Sequence, residues 1–312
     1  MNDLPSFIIS TLQATVRAGT PLLFAVLGTI LTERSGVMNL GLEGIMLIGA
    51  IGGFVASYNT SSLLAAVLVA MLGGAILGLV HAFFTVTLKI NQIVSGLAIT
   101  MLGAGISGLW GRDYIGVIAK RFTPVRLPFL SELPYAGQIF FSHDFLVYVS
   151  YLVVPAMWFV IYKTKFGMTL RAVGESPDAA DARGINVFAI RYVYTVIGAS
   201  VTAIGGAYLS LAYNSMWIEN MTAGRGWIAI ALVLFATWDP LKALLGAYLF
   251  GGITALGLRL QAIGTHISPD FLKMLPYLLT IVVLFFTSTD NLKRKVGAPA
   301  SLGTPYSRED RT

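Results

Sequence analysis

Apolar residues run along this chain in long blocks, separated by short clusters of glycine, proline and charge. A bilayer core requires about 20 such residues per helix. Nine blocks qualify: 12–31, 37–57, 62–88, 91–111, 144–162, 192–213, 226–238, 243–262 and 273–289. The third is long enough to tilt. The seventh is short, bracketed by Gly224-Arg225-Gly226 and Trp238-Asp239-Pro240, and reads as a broken or half-crossing helix. The pattern predicts an all-α polytopic membrane protein of about nine transmembrane helices, with a range of roughly 8–10.

Two polar segments interrupt the blocks. Residues 112–143 contain Pro124, Pro128 and Pro134 and predict a long external loop folded onto the outer face. Residues 163–191 predict a cytoplasmic loop with a short helix, Pro177 to Arg183. Pro177 suits a first helical turn, Ser176 a cap before it, Asp178 and Asp181 the first turn or its neighbourhood, and Gly184 the C-terminal stop. Residues 1–295 thus form one transmembrane domain. The segment 296–312, rich in proline, glycine, serine and mixed charge, predicts a disordered cytoplasmic tail.

Orientation follows from Lys and Arg beside the spans. With loop 163–191 inside, the inner side holds Arg34, Lys89, Lys163, Lys165, Arg171, Arg183, Arg191, Lys242 and the run Lys293-Arg294-Lys295, eleven in all. The outer side holds Arg112, Lys120, Arg121, Arg126, Arg225, Arg259 and Lys273, seven in all. Nine spans then place the N-terminus outside and the C-terminus inside.

Composition narrows the class. Only 12% of the 312 residues are charged and 56% are hydrophobic, with a mean hydropathy of +0.76. Soluble domains carry about 25% charge, so a soluble enzyme, a disordered protein and a nucleic-acid binder are excluded. The net charge of +6 gathers at the ends of apolar runs and reads as a topology signal. The absence of cysteine removes disulfides, thiolate metal sites and cysteine nucleophiles. The start, Met1-Asn2-Asp3-Leu4-Pro5, lacks the basic and apolar regions of a secretory signal.

No catalytic constellation is visible. There is no phosphate loop of the Gly-x-x-x-x-Gly-Lys-Ser/Thr type and no His-Glu-x-x-His; His81, His143 and His266 lack metal-ligand spacing. His81, inside a span, reads as a helix-packing hydrogen bond. Glu43 is the acidic residue well inside a span, about 10 Å past Arg34 if the rise is helical. A membrane carboxylate is a functional candidate by default. It reads either as a substrate or proton-coupling group, or as an acceptor that fixes a neighbouring broken helix. Arg17 matches it in charge but lies near the opposite face. Gly49 and Gly53 form a small-xxx-small pair for close helix approach. Asn39, Asn91 and Gln92 could turn amides into a pathway, and Trp227 belongs to an outer aromatic group with Trp110, Tyr114, Tyr208, Tyr213 and Trp217 that reads as an interfacial belt or a stacking surface.

A weak internal echo links the break at Ser35-Gly36-Val37-Met38-Asn39-Leu40-Gly41-Leu42-Glu43-Gly44 to that at Ala223-Gly224-Arg225-Gly226-Trp227-Ile228-Ala229. The two lie five spans apart. An odd offset inverts one half against the other, and inverted repeats with glycine-interrupted helices are a transporter design.

These segments resemble a known family. Glu175 to Ile185 resembles the degenerate Glu-Ala-Ala…Gly loop, the coupling helix of ATP-binding-cassette importer permeases. Residues 33–46, Ser95-Gly96-Leu97-Ala98-Ile99-Thr100-Met101-Leu102 and Gly224 to Ala231 with Trp238-Asp239-Pro240 resemble the branch holding branched-chain amino acid, ribose and nucleoside permeases. The resemblance covers about residues 12–295 and is nearest the shorter permease of bacterial nucleoside importers, of the simple-sugar type. It implies an inverted-repeat permease with broken helices, paired with a longer homologous permease. It implies a separate ATPase subunit that binds the ATP and docks on Gly174, Glu175, Ser176, Pro177, Ala179, Ala180, Asp181, Gly184 and Ile185, with no cofactor on this chain. It also implies a periplasmic or lipoprotein solute-binding protein and multi-pass insertion in a bacterial cell (inner) membrane. The loop departs from the motif of the other importer class at Ser176-Pro177 and Asp181.

The reading is therefore a non-enzymatic permease subunit for nucleosides, with Asn39, Glu43, Asn91, Gln92 and Trp227 as pathway candidates. A simple-sugar permease is the alternative. A stand-alone secondary carrier, which would need Glu43 as its ion site, and an intramembrane enzyme are the rivals.

Overall fold

The computed structural model describes residues 4–262, 268–287 and 297–308. The inner charge run Lys293-Arg294-Lys295, and the end of the ninth block, lie outside the described residues. Among these described residues twelve α-helices follow in order: α1 (Leu4–Arg34), α2 (Leu42–Thr60), α3 (Leu63–Ala82), α4 (Gln92–Gly111), α5 (Ala136–Phe140), α6 (Phe145–Lys163), α7 (Lys165–Glu175), α8 (Pro177–Ala182), α9 (Val187–Tyr208), α10 (Arg225–Ala236), α11 (Pro240–Ala262) and α12 (Pro269–Thr287). α3 and α9 each end in a wider π turn, Phe83–Thr87 and Leu209–Tyr213.

Among the described residues, seven helical stretches are long and apolar enough to cross a membrane: Ser6–Arg34, Leu42–Thr60, Leu63–Thr87, Gln92–Tyr114, Phe145–Lys163, Val187–Tyr213 and Pro240–Ala262. The short α10 and the 19-residue α12 account for the other two apolar blocks. The chain is a multi-pass, all-α membrane protein.

α1 occupies the centre, packed on α9, α11 and α10, while α2 bridges α3, α9 and α4. Bare glycine backbones set these contacts. Gly28 of α1 faces Gly198 of α9, Gly19 faces Gly251 of α11, and Gly44 of α2 faces Gly103 of α4. Lipid supplies no hydrophobic drive between helices, so close backbone approach does the work. Gly49 and Gly53 both face α9, at Ala203 and Ala207. α3 and α4 are peripheral; Leu64, Leu72, Met101 and Leu109 leave more than half their surface uncovered.

The loop 112–143 folds onto one end of the helix bundle. The Phe122 N–H donates to the Leu211 carbonyl at 2.9 Å, and Ser57 Oγ donates to the Lys120 carbonyl at 2.5 Å. Strands β1 (Val125–Arg126) and β2 (Ser142–His143) pair antiparallel and close the loop. Asp144 caps α6 through the Leu146 and Val147 amides and accepts the Tyr208 hydroxyl at 3.1 Å. Burial raises the Asp144 carboxyl, opposed by the Tyr208 hydrogen bond. Tyr208 and Trp217 are thus interior residues rather than belt residues, whereas Trp110 stays 61% exposed.

Two expectations change. Residues 37–41 are not helical, and α2 begins only at Leu42. Residues 297–308 are not a loose tail: Ser301 and Tyr306 are buried against the inner face.

Candidate functional site

The inner end of α1 stops at a tight turn. Ser35 and Gly36 donate backbone N–H groups to Thr32 and Glu33, and Gly36 adopts φ +90°, open to glycine at little cost. The chain then runs, non-helical and mostly buried, through residues 37–41. Non-helical backbone within a bundle leaves its peptide groups unanswered unless side chains reach them. The polar residues inside neighbouring spans do this. Gln92 Oε1 accepts the Met38 N–H at 2.6 Å, His81 Nε2 bonds the Met38 carbonyl at 3.0 Å, and Thr100 Oγ1 donates to the Leu40 carbonyl at 3.1 Å. Asn39 Oδ1 accepts the Gly41 N–H at 2.7 Å. Because Nε2 of His81 must donate to that carbonyl, Nδ1 is left to accept the Ser95 hydroxyl at 2.9 Å.

A second break follows α9. Residues 214–224 are non-helical, with positive φ at Asn220, Ala223 and Gly224, before α10 starts. Its 12 residues span about 18 Å, too short for a bilayer core of about 30 Å. Its first turn therefore lies within the molecule, and there the two breaks meet. Glu43 Oε1 accepts the Thr222 hydroxyl at 2.6 Å and the Gly224 N–H at 2.8 Å, and Oε2 accepts the Gly226 N–H at 2.7 Å. A carboxylate at a helix N-terminus answers orphan amides and complements the helix dipole. Gly226 permits the approach, since a Cβ there would fall 2.6 Å from the Glu43 Cα. Glu43 sits in the first turn of α2, and the non-helical stretch before it means that no continuous helical rise runs from Arg34 to Glu43. Arg17 is not its partner; its guanidinium donates to the Ala212 carbonyl at 3.1 Å.

The other end of α10 is held from the same connection. Trp238 Nε1 donates to Glu33 Oε2 at 2.6 Å. Arg34 donates to the Trp238 carbonyl at 3.1 Å and to the Tyr162 hydroxyl at 3.0 Å. Thr237 and Trp238 turn the chain at positive φ into α11. Both ends of this half-helix are thus fixed by acidic side chains, Glu33 and Glu43, that flank residues 35–41.

The five pathway candidates serve different parts of the structure. Asn39 and Gln92, both buried, serve the first break, and each leaves its amide nitrogen without a partner. Asn91 is exposed and caps α4 through the Ile93 and Val94 amides. Glu43 holds α10, and Trp227 beside it is 41% exposed. None lines the cleft of about 400 Å³ beside the α10 start, which is walled by Ala223, Arg225, Phe250, Thr254 and Tyr277. Thr222, Gly224 and Gly226 as ligands of Glu43, and Glu33 as the partner of Trp238, are the residues that spacing along the chain does not reveal.

On the inner face α7 leads into α8. Thr164 caps α7 through the Gly167 N–H. Gly174 is pressed between the Arg34 carbonyl and Pro299. Ser176 occupies the cap position of α8, yet its side chain makes no cap hydrogen bond, and the helix ends at Ala182 rather than Arg183. Gly184 supplies the expected stop at φ +82°. Glu175, Ser176, Asp178, Ala179, Ala182 and Arg183 are exposed, Pro177, Asp181 and Ile185 partly covered, and Ala180 is buried among Val173, Val187 and Tyr306. The loop thus presents one open face and one seated face.

The chain is 39% identical over 97% of its length to TsgC13 of Haloferax volcanii, whose name assigns it provisionally to a glucose ABC transporter as permease; the match covers 99% of that protein. It is 33% identical over 97% of its length to the guanosine ABC transporter permease NupQ of Bacillus subtilis, covering 98% of it. It is 35% identical over 89% of its length to the nucleoside ABC transporter permease NupC of Lactococcus lactis, covering 93% of it. Residues 11–284 match the family model described as branched-chain amino acid transport system / permease component. With fold, broken helices and relatives in agreement, the chain belongs to this permease family.

Proposed function

We propose that this chain is the translocation subunit of an ATP-driven importer for nucleosides in a bacterial cell membrane. It pairs with a second homologous permease, takes solute from a solute-binding protein outside, and is moved by a separate ATPase subunit that docks on residues 174–185. The observation that supports this most is the geometry of α8. Its exposed face carries Asp178, Ala179 and Ala182, short side chains that a groove in another protein can receive, with the charged Glu175 and Arg183 exposed at its two ends, while Ala180 seats the opposite face. Nucleosides as substrate are supported by the likeness to NupQ and NupC.

The second reading is a simple-sugar importer, favoured by the 39% identity to TsgC13. Uptake of labelled guanosine against labelled glucose and ribose, in a strain deleted for this chain and then complemented, separates the two. Guanosine uptake restored by complementation supports the nucleoside reading. Restored glucose or ribose uptake alone overturns it. Uptake that persists in vesicles without ATP would move the chain to the stand-alone carriers.

A further inference from the structure

Residues 297–308 make polar contacts with α7, α8, α9 and the turn at Gly36. Ser301 donates its N–H to the Gly174 carbonyl at 3.0 Å, and its hydroxyl reaches the same oxygen at 2.7 Å. That carbonyl lies at the end of α7, directly before the coupling helix. The Gly303 N–H donates to the Gly36 carbonyl at 3.2 Å, in the turn that opens the re-entrant stretch. Arg191, 1% exposed, bonds Ser301 Oγ at 3.2 Å and the Thr304 carbonyl at 3.1 Å. Tyr306 packs with Val173, Ala180 and Val187, its ring 5.6 Å from that of Phe188. Arg308 pairs with Asp181 of α8 at 2.9 Å.

One short segment therefore grips α8, the end of α7 and the turn at Gly36. From Gly36 the chain runs seven residues to Glu43, the residue that holds α10. We propose that residues 297–308 form a strap that joins α8 to the re-entrant stretch, so that displacement of α8 by a motor is passed through Gly36 to the Glu43–α10 joint. Ser301 and Arg191, both buried, are its positioning residues. A route through α7 alone ends at the Gly174–Arg34 contact, and a second route runs by apolar packing alone, through Phe188 of α9, which lies against both the Ala180 and the Val37 clusters.

This proposal rests on the importer reading, and the experiment keeps the two apart. The full transporter is purified with the chain intact, truncated after residue 296, or carrying Ser301→Ala, Ser301→Thr or Arg191→Lys. Three quantities are measured: the amount of chain in the membrane, the amount of ATPase subunit retained, and labelled guanosine (or glucose, if that is what the intact chain carries) taken up per ATP hydrolysed. For truncation the expectation is ATPase retention within about twofold of the intact chain and solute per ATP reduced at least about tenfold. Ser301→Ala and Arg191→Lys should lower that ratio about threefold or more, and Ser301→Thr, which keeps the hydroxyl, should restore it.

An unchanged ratio in the truncated and Ser301→Ala proteins overturns the strap. So does parallel loss of ATPase binding and uptake, which would make the segment part of the docking surface. If the truncated chain is missing from the membrane, the Ser301→Ala and Ser301→Thr pair decides. An intact chain that retains no ATPase overturns the importer reading instead.

Discussion

The carboxylate of Glu43 and the backbone amide of Gly226 lie 2.7 Å apart, although 183 residues separate them in the chain. The contact joins the first turn of α2 to the first turn of α10, and with them the two broken segments of the molecule.

Removing that carboxylate leaves the Thr222 hydroxyl and two amides unanswered. Each buried donor without a partner costs about 1–3 kcal/mol. Glu43→Ala should therefore lower the thermal midpoint of the detergent-solubilised protein by several degrees and abolish uptake. Glu43→Gln, which keeps one carbonyl oxygen, should lose less stability but still transport at least about tenfold more slowly. Wild-type uptake in Glu43→Gln would show that the joint is not required.

Glycine at 226 is needed for room, whereas glycine at 105 is not. A Cβ at Gly226 meets Glu43 Cα at 2.6 Å; at Gly105 nothing lies within 4 Å. Gly226→Ala should destabilise by about 1–3 kcal/mol through overpacking, while Gly105→Ala should be neutral or stabilise by up to about 1 kcal/mol through helix propensity. Thermal unfolding of the two proteins side by side is the check.

The inner end of α10 offers an independent test. Trp238→Phe keeps most of the ring volume but deletes the donor to Glu33, leaving a buried carboxylate at 5% exposure without that bond. A midpoint loss comparable to that of Glu43→Gln is expected, and the double variant Trp238→Phe with Glu33→Gln should not recover it, since the amide then has no donor to face.

For the coupling segment the structure changes which substitutions are informative. Ala180 is 3% exposed, so Ala180→Arg should disrupt the seat of α8 and lower the amount of folded chain. Ala179→Arg, on the open face, should leave the chain folded and remove ATPase binding. Gly184→Asp meets no neighbour within 4 Å, but φ +82° strains any side chain there; about a 1 kcal/mol cost is expected, with loss of coupling if Gly184 touches the motor. Size-exclusion profiles and co-purified ATPase report the two effects separately.

Acid should loosen the outer cap through His143. Its Nε2 bonds the Ile139 carbonyl at 2.7 Å, and its Nδ1 is buried without an acceptor. Burial holds this imidazole below its ordinary value, against the pull of the Ile139 bond and of Asp144. The folded chain then binds a proton less readily than the unfolded one, so this contribution to stability is complete above about pH 6.5 and declines as pH falls toward the lowered value. Proteolysis of loop 112–143 should accelerate between pH 7.5 and 5.5 in the native chain and much less in His143→Gln.

The spans were legible because apolar runs of the required length have few other uses, and Glu43 was legible because a carboxylate amid such a run demands an explanation. Its partners were not, for they are backbone amides, which carry no residue signature. The half-crossing α10 could be read from its length and its flanking Gly224 and Trp238-Asp239-Pro240. The non-helical stretch 37–41 could not, since Val37, Met38 and Leu40 look the same inside a helix or outside one. Asn91 and Gln92, adjacent in the chain, looked alike; one caps a helix end and the other bonds the Met38 amide. The segment after residue 296 misled because its order comes from Arg191 and from the carbonyls of Gly36 and Gly174, far away in sequence, rather than from apolar residues of its own.

Residues 37–41 take their hydrogen bonds from His81, Gln92 and Thr100, which stand on two other helices at fixed heights. A slide of this segment past those helices would strain all of these bonds together. Each buried group left without its partner costs about 1–3 kcal/mol, so whatever pulls here works against several such costs at once.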